Sequence, residues 1–224
     1  MKEINEYRKV NKLPNNITLE QKAFLEIKKA IIAGKYQPGT YITEATLVND
    51  LGMSRTPIRR ALMSLESSGF IKHYAHQGSM VQNIQVTMIE MINFIEFRLF
   101  LGTGSIEKAK RKQLDFPIEE MRESLTKMKL AILDGESELY FNEVNHFNNL
   151  ILQPSQNDLI METMTKLLNR FTAGSIKYFQ IRKNSFLQTL AAYEELVCYL
   201  EKKEFDEAKN LYSDIKRTII NDLL

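Results

Sequence analysis

Read for the spacing of its apolar positions, the chain falls into two stretches. From about Thr43 to Leu51 the pattern is helical, and Gly52 follows where a helix ends in a left-handed residue that glycine adopts at least cost. A second helix restarts at once. Ser54 stands at the N-cap, Pro57 lies in the first turn where its missing N–H costs nothing, and Ile58, Ala61, Leu62 and Leu65 form a stripe at helical spacing. Gly69 closes this helix, and Phe70–Tyr74 and Ser79–Val81 read as two short strands around a Gln77-Gly78 turn. Helix, tight turn, helix and hairpin in that order predict a winged helix-turn-helix. After Val81 the alternation stops, and from Val86 the period is helical almost to the C-terminus, with no convincing strand. Breaks at Phe116-Pro117, Asp134-Gly135, Gln153-Pro154-Ser155 and Arg182-Lys183-Asn184 divide it into six helices, roughly 87–112, 116–134, 136–152, 156–182, 185–202 and 205–223.

The fold class is therefore mainly α. A winged unit over residues 18–84 is followed by an all-helical domain over residues 85–224, and the polar, weakly patterned residues 1–17 are predicted to form a loose arm. The polar face of the second helix carries the chemistry. Arg55, Thr56, Arg59 and Arg60 cluster at its N-terminal end, the part that reaches base edges and phosphates when such a helix lies in a major groove. An arginine fork can bond guanine O6 and N7 together, whereas Ser and Thr hydroxyls and first-turn N–H groups suit phosphate oxygens. Helix-turn-helix shapes also serve as plain corners and basic faces as solvated surface; the wing is what favours duplex DNA. Lys72, His73 and His76 near its tip are placed to lie along a backbone, although the two histidines read better as solvated or packing residues.

These residues resemble a family signature. From Met53 to Leu62 the chain matches the pattern of the GntR family of bacterial transcription regulators: a small apolar residue, Ser-Arg-Thr-Pro, a branched apolar residue, Arg, any residue, Ala-Leu. Upstream, AIIAGKYQPGTYI matches the family's first helix and its Gly-x-x-x-Pro-Gly turn. The resemblance implies DNA contacts at Ser54, Arg55, Thr56, Arg59 and Gly78. Two departures bear on specificity: Arg60 stands where the family usually has glutamate, and Ala45 replaces a basic residue common in the preceding helix. Arg60 thus joins the expected contacts, toward an operator unlike those of relatives.

Composition fits such a regulator. With 224 residues, 44% hydrophobic and 26% charged, the chain can bury two cores. Its single Cys198 excludes an intramolecular disulfide framework, and no signal peptide or membrane-length apolar run is read, so a cytoplasmic address is expected. Residues 1–84 carry 12 Lys+Arg against 7 Asp+Glu and residues 85–224 carry 18 against 21, which puts the basic excess on the part with the DNA motif.

The helical domain resembles the fatty-acid-regulator-type branch of the same family, in which an antiparallel FCD-like bundle senses a small molecule. The resemblance rests on the run of helices, on Phe147 followed by Asn157, and on Glu204-Phe-Asp-Glu-Ala208 opening the last helix. In that branch's metal-binding subgroup an aspartate and three histidines hold a divalent ion that anchors a carboxylate effector. The corresponding residues here are Val144, Asn148, Tyr193 and Ile215, and His146 is the domain's only histidine, so no metal and no cofactor are expected. An acidic effector would then need another anchor. Arg98, set among Phe94, Ile95, Phe97, Leu99 and Leu101, is the candidate, with Asn148 and Tyr193 as further effector-site residues. Its partner is either a ligand carboxylate or a neighbouring glutamate such as Glu96, Glu143 or Glu194.

One recognition helix reads only a few base pairs, so a homodimer on a near-palindromic duplex operator is expected, acting as repressor rather than activator by the family resemblance. The stripe Met88-Met91-Ile92-Ile95-Leu99 is assigned to the core in preference to a partner. The alternative is an architectural, effector-independent DNA-binding dimer. No Gly-rich phosphate loop and no Ser/His/Asp or Cys/His set is present in a plausible context, so catalysis is not expected.

Overall fold

Helix α1 (Leu19–Ile32) opens on a capping box: Thr18 Oγ1 accepts from the Gln21 amide, and the Gln21 side chain accepts from the Thr18 N–H. Its buried face, Ala23, Ile27 and Ile31, packs on α3. The computed structural model describes residues 17–83, 86–175 and 183–224, in two units, Met1–Gln85 and Val86–Leu224. The arm expected over residues 1–17 lies, except for Ile17, outside the described residues.

In the first unit β1 (Tyr41–Ile42) precedes α2 (Glu44–Leu51), which Thr43 caps and Gly52 ends with φ +63°. Then come α3 (Arg55–Ser67), β2 (Ile71–Tyr74) and β3 (Gly78–Val81). The hairpin differs by one residue at each strand from the predicted one, and it has a third strand that was not predicted. The sheet order is β1-β3-β2, with Ile42 opposite Ser79 and Tyr74 opposite Gly78. Two residues are too few to show alternation. Position is fixed instead by the Pro38-Gly39 turn, where Gly39 N donates to Val81 O at 2.8 Å and Val81 N to Thr40 O at 2.9 Å. Gly78 answers to this arrangement: its φ is +100°, and a Cβ there would lie 2.8 Å from the Ile42 carbonyl oxygen.

The second unit is a run of helices: α4 (Met88–Lys112), α5 (Ile118–Asp134), α6 (Ser137–Leu152), a 3-10 turn at Gln153–Ser155, α7 (Asp158–Ser175), α8 (Lys183–Glu201) and α9 (Phe205–Asn221). Local chemistry sets the ends. Thr87 and Glu90 form a capping box for α4, Gly135 ends α5 in the left-handed region, and Asn157 Oδ1 accepts from the Leu159 and Ile160 amides at the start of α7. The predicted continuation of α7 to residue 182 lies outside the described residues. Ile106, Met121, Met128, Phe147, Tyr193, Leu196 and Tyr212 are fully or almost fully buried in the main core, and a second cluster holds Val86, Met91, Phe94, Ile95, Leu152, Met164 and Phe171. Of the stripe assigned to the core, Met91 and Ile95 are buried and Met88 is exposed.

Two glycines inside α4 make a paired prediction. A Cβ at Gly102 would sit 2.3 Å from Tyr212 Cε1, whereas nothing lies within 4 Å of one at Gly104, which is exposed. Gly104→Ala should therefore stabilise the chain by about 0.5–1 kcal/mol through helix propensity. Gly102→Ala gains the same propensity yet overpacks a closed contact, a cost of about 1–3 kcal/mol, and should be net destabilising. Chemical denaturation of the two variants checks the sign of each.

Candidate functional site

At the start of α3, Ser54 has the extended backbone of an N-cap, φ −69° and ψ 164°, but its hydroxyl makes no capping hydrogen bond. The position is the predicted one; the capping bond is not formed. The hydroxyl and the first-turn N–H groups are left for an external oxygen, and no acidic residue stands in that turn. Arg55, Thr56, Arg59 and Arg60 are exposed, while Pro57, Ile58, Ala61, Leu62 and Leu65 are buried. Arg59 already has a partner. Its Nε donates to Glu44 Oε1 at 2.8 Å and its Nη2 to Glu44 Oε2 at 3.2 Å, a side-on bidentate pair. This bond to Arg59 is the main reason the Glu44 carboxyl is held below its ordinary range. Arg60 is turned by about 100° from Arg59, and its Nη1 lies 3.5 Å from Glu20 of α1. Glu66 Oε1 accepts from the His73 amide at 2.7 Å and ties the wing to α3. Between them runs a groove lined by Glu44, Arg59, Met63, Glu66, His73 and Gly78.

The second unit contains a cavity of about 90 Å³. Arg98 projects from α4 and is only 7% exposed. Among the described residues its Nε and Nη2 meet no acceptor, and its guanidinium carbon lies 5.0 Å from the centre of the Phe94 ring. That ring stacks on Phe171 with centroids 4.0 Å apart. None of the expected glutamates pairs with it: Glu96 and Glu194 are exposed, and Glu143 Oε2 itself lacks a hydrogen-bond partner. A second cation comes from α9. Lys216 is 2% exposed, and its Nζ donates to Asn148 Oδ1 at 2.6 Å and to Tyr193 Oη at 2.8 Å. Asn148 Nδ2 donates to Val144 O at 2.6 Å, and Tyr212 Oη lies 3.1 Å from Arg98 O and 3.3 Å from Asn148 Oδ1. Burial, then the nearby Arg98 charge, pushes the Lys216 ammonium well below its ordinary range; burial also lowers Arg98 and raises both phenols. Both cations line the cavity, and among the described residues no aspartate or glutamate does.

Residues 19–81 match the bacterial regulatory proteins of the gntR family, and residues 93–215, more than half of the chain, match the FCD domain. The chain belongs to the GntR family and carries an FCD domain. It is 29% identical over 157 residues to the Nta operon transcriptional regulator of Aminobacter aminovorans, covering 69% of this chain and 72% of that one. To the HTH-type transcriptional regulator McbR of Escherichia coli it is 24% identical over 191 residues, 85% and 86% of the two chains. Among solved structures, that of Lar, described as controlling expression of the Listeria monocytogenes agr system, superposes with a TM-score of 0.73 at 16% identity, covering 93% of this chain and 98% of that one; this likeness shows the fold.

Within this FCD domain the residues do not fit a divalent ion. Of the four positions at which the metal-binding subgroup has ligands, Val144 lines the cavity, Ile215 lies in the core, and Asn148 and Tyr193 both serve the Lys216 ammonium, which repels a second cation. His146 is exposed, and among the described residues no three His, Cys, Asp or Glu side chains gather. One expected placement is corrected: Asn148 is not on the cavity wall but behind it, holding Lys216 and Tyr212. Lys216 and Glu44 were missed. Lys216 did leave a signal, because Ala208, Tyr212, Ile215 and Lys216 fall at i, i+4, i+7 and i+8, the spacing of a buried stripe.

Proposed function

We propose that this GntR-family regulator is a cytoplasmic homodimeric repressor that binds a near-palindromic duplex operator and is controlled by a small molecule in its FCD cavity. The observation that carries the reading is the exposed opening turn of α3. Ser54 Oγ, Thr56 and free first-turn amides suit phosphates, and Arg55 and Arg59 suit base edges, with Arg60 and Gly78 at the flanks. The cavity supports the second half, with Arg98 and Tyr193 on its wall and Asn148 behind it. Occupation of the cavity shifts the dimer between operator-competent and incompetent states, and repression follows from occlusion of the bound sequence. Among the described residues no helix is long and apolar enough to cross a membrane.

Selection of bound duplexes from a random library, followed by binding to the selected sequence with and without candidate effectors, tests both halves. A near-palindromic consensus whose affinity changes at fixed salt when the FCD domain is liganded is the expected result. A consensus that no FCD ligand affects would instead leave an effector-independent DNA-binding dimer, and no consensus at all would remove the operator reading.

A further inference from the structure

The wall of the FCD cavity is specific enough to name a class of ligand, given that the cavity is the effector site proposed above. We propose that it receives a short-chain monocarboxylate, held directly by Arg98 and Lys216 with no metal between. The class comes from the guanidinium edge. The Nε and Nη2 donors of Arg98 that meet no acceptor form the same edge with which Arg59 holds both oxygens of Glu44 at 2.8 and 3.2 Å. That edge matches the spacing of two oxygens on one carbon. Lys216 adds a second cation whose Nζ hydrogen bonds, among the described residues, are to neutral oxygens, an amide and a phenol. Two buried cations facing one space, with no acid on the described wall, are relieved by an anion.

The polar side chains Ser175, Thr189 and Asn145 of the described wall favour a single carboxylate. Ser175 and Thr189 already donate their hydroxyl protons to the carbonyls of Phe171 and Ser185, and Asn145 Nδ2 donates to Thr172. A second carboxylate or a phosphate would lie against rings and aliphatic chains such as Phe94, Phe171, Phe186 and Ile219. An apolar tail is suited to that surface. Size sets the length: about 90 Å³ is well under the ~150 Å³ that admits benzene, so the ligand has fewer heavy atoms than benzene and the tail is one or two carbons. A ligand of about five heavy atoms has too little surface for tight binding, and its affinity falls in the micromolar to millimolar range.

The test is titration of the full chain with propionate, its neutral counterpart propionamide, malonate and inorganic phosphate, at ionic strength fixed with sodium chloride, read by calorimetry and thermal unfolding. Propionate should bind and raise the unfolding temperature with concentration, the other three at least about tenfold more weakly. Lys216→Met and Arg98→Met should each weaken propionate at least about tenfold. Because each exchanges a buried cation for an apolar chain of similar length, the unfolding curves of both should show folded protein. Equal binding of propionamide, preference for malonate or phosphate, no binding of propionate, or binding that survives both substitutions overturns the proposal. The operator assay separates this site from the regulatory reading. A neutral molecule that fills the cavity and changes operator affinity keeps the regulator and removes the carboxylate; propionate held by Arg98 and Lys216 without effect on operator affinity keeps the carboxylate and removes the regulator.

Discussion

Replacing Arg59 by alanine is expected to weaken operator binding by about 1–3 kcal/mol, roughly five- to 150-fold, and to flatten the preference at the base pair it contacts. Replacing Glu44 by alanine should act in the opposite direction on non-specific duplex and in the same direction on specificity. The reason is the side-on pair between them. Both residues are partly or well exposed, with side-chain exposures of 68% for Arg59 and 32% for Glu44, so their attraction is screened and adds little to folding. What the pair supplies is direction. With Nε and one Nη2 hydrogen committed to Glu44, the end of the guanidinium remains to face outward, held by a group on the neighbouring helix. Without Glu44, Arg59 gains rotamers and the surface loses a negative charge near the phosphates. Affinity for random duplex should rise while the ratio of operator to random binding falls. Binding of operator and scrambled duplex across a salt series measures both. A ratio that stays constant in Glu44→Ala would mean that DNA breaks the pair on binding, and a uniform loss over all sequences in Arg59→Ala, with a salt slope shallower by about one, would make Arg59 a phosphate contact.

The sequence and the structure part company according to the range of the interactions. Helix ends were legible where the signal is local: Gly52, the Phe116-Pro117 break and Gly135 act within a few residues of themselves, whereas the caps by Thr87 with Glu90 and by Asn157 emerged only in the structure. The DNA-facing turn was legible for the same reason, as Pro57 and the stripe Ile58, Ala61, Leu62 and Leu65 leave only one face for the arginines. Strand β1 was not, because its place is set by hydrogen bonds to β3 across some forty residues rather than by its own two side chains. The Glu44–Arg59 pair joins two helices, and nothing in either segment names the other. Arg98 was legible as a cation among apolar neighbours, but its glutamate partners were guesses about tertiary geometry, and the structure offers none of them. Lys216 stands beside Arg217 on a polar helix and reads as solvated surface unless its i+8 spacing from Ala208 is weighed above its charge. Buried charge is where pattern reading fails, since the residue type argues for one side of the helix and the position for the other.

The largest stability effects are expected at that buried charge. Asn148→Ala should destabilise the chain by about 1–3 kcal/mol, because it takes from Lys216 one of its two hydrogen-bond acceptors and leaves a buried ammonium less compensated. Lys216→Met should be neutral or stabilising by up to about 4 kcal/mol, since the methionine fills similar volume and needs no acceptor. The double substitution is then the informative one. If the penalty of Asn148→Ala arises from the stranded cation, adding Lys216→Met recovers most of it, and the cycle gives a coupling of about 1–3 kcal/mol. Tyr212 sets the limit on recovery, because its hydroxyl also reaches Asn148 Oδ1 at 3.3 Å but keeps the Arg98 carbonyl at 3.1 Å. The pH profile provides an independent reading. Lys216 is held well below its ordinary value of 10.5 in the fold, so between that lowered value and 10.5 the unfolded chain binds one more proton than the folded chain. Stability therefore rises with pH across this window, and the rise should vanish in Lys216→Met. Urea unfolding of the four proteins at several pH values measures the cycle and the slope together. Additive single effects would show that Asn148 acts by packing alone, and an unchanged slope in Lys216→Met would assign the pH dependence to another group.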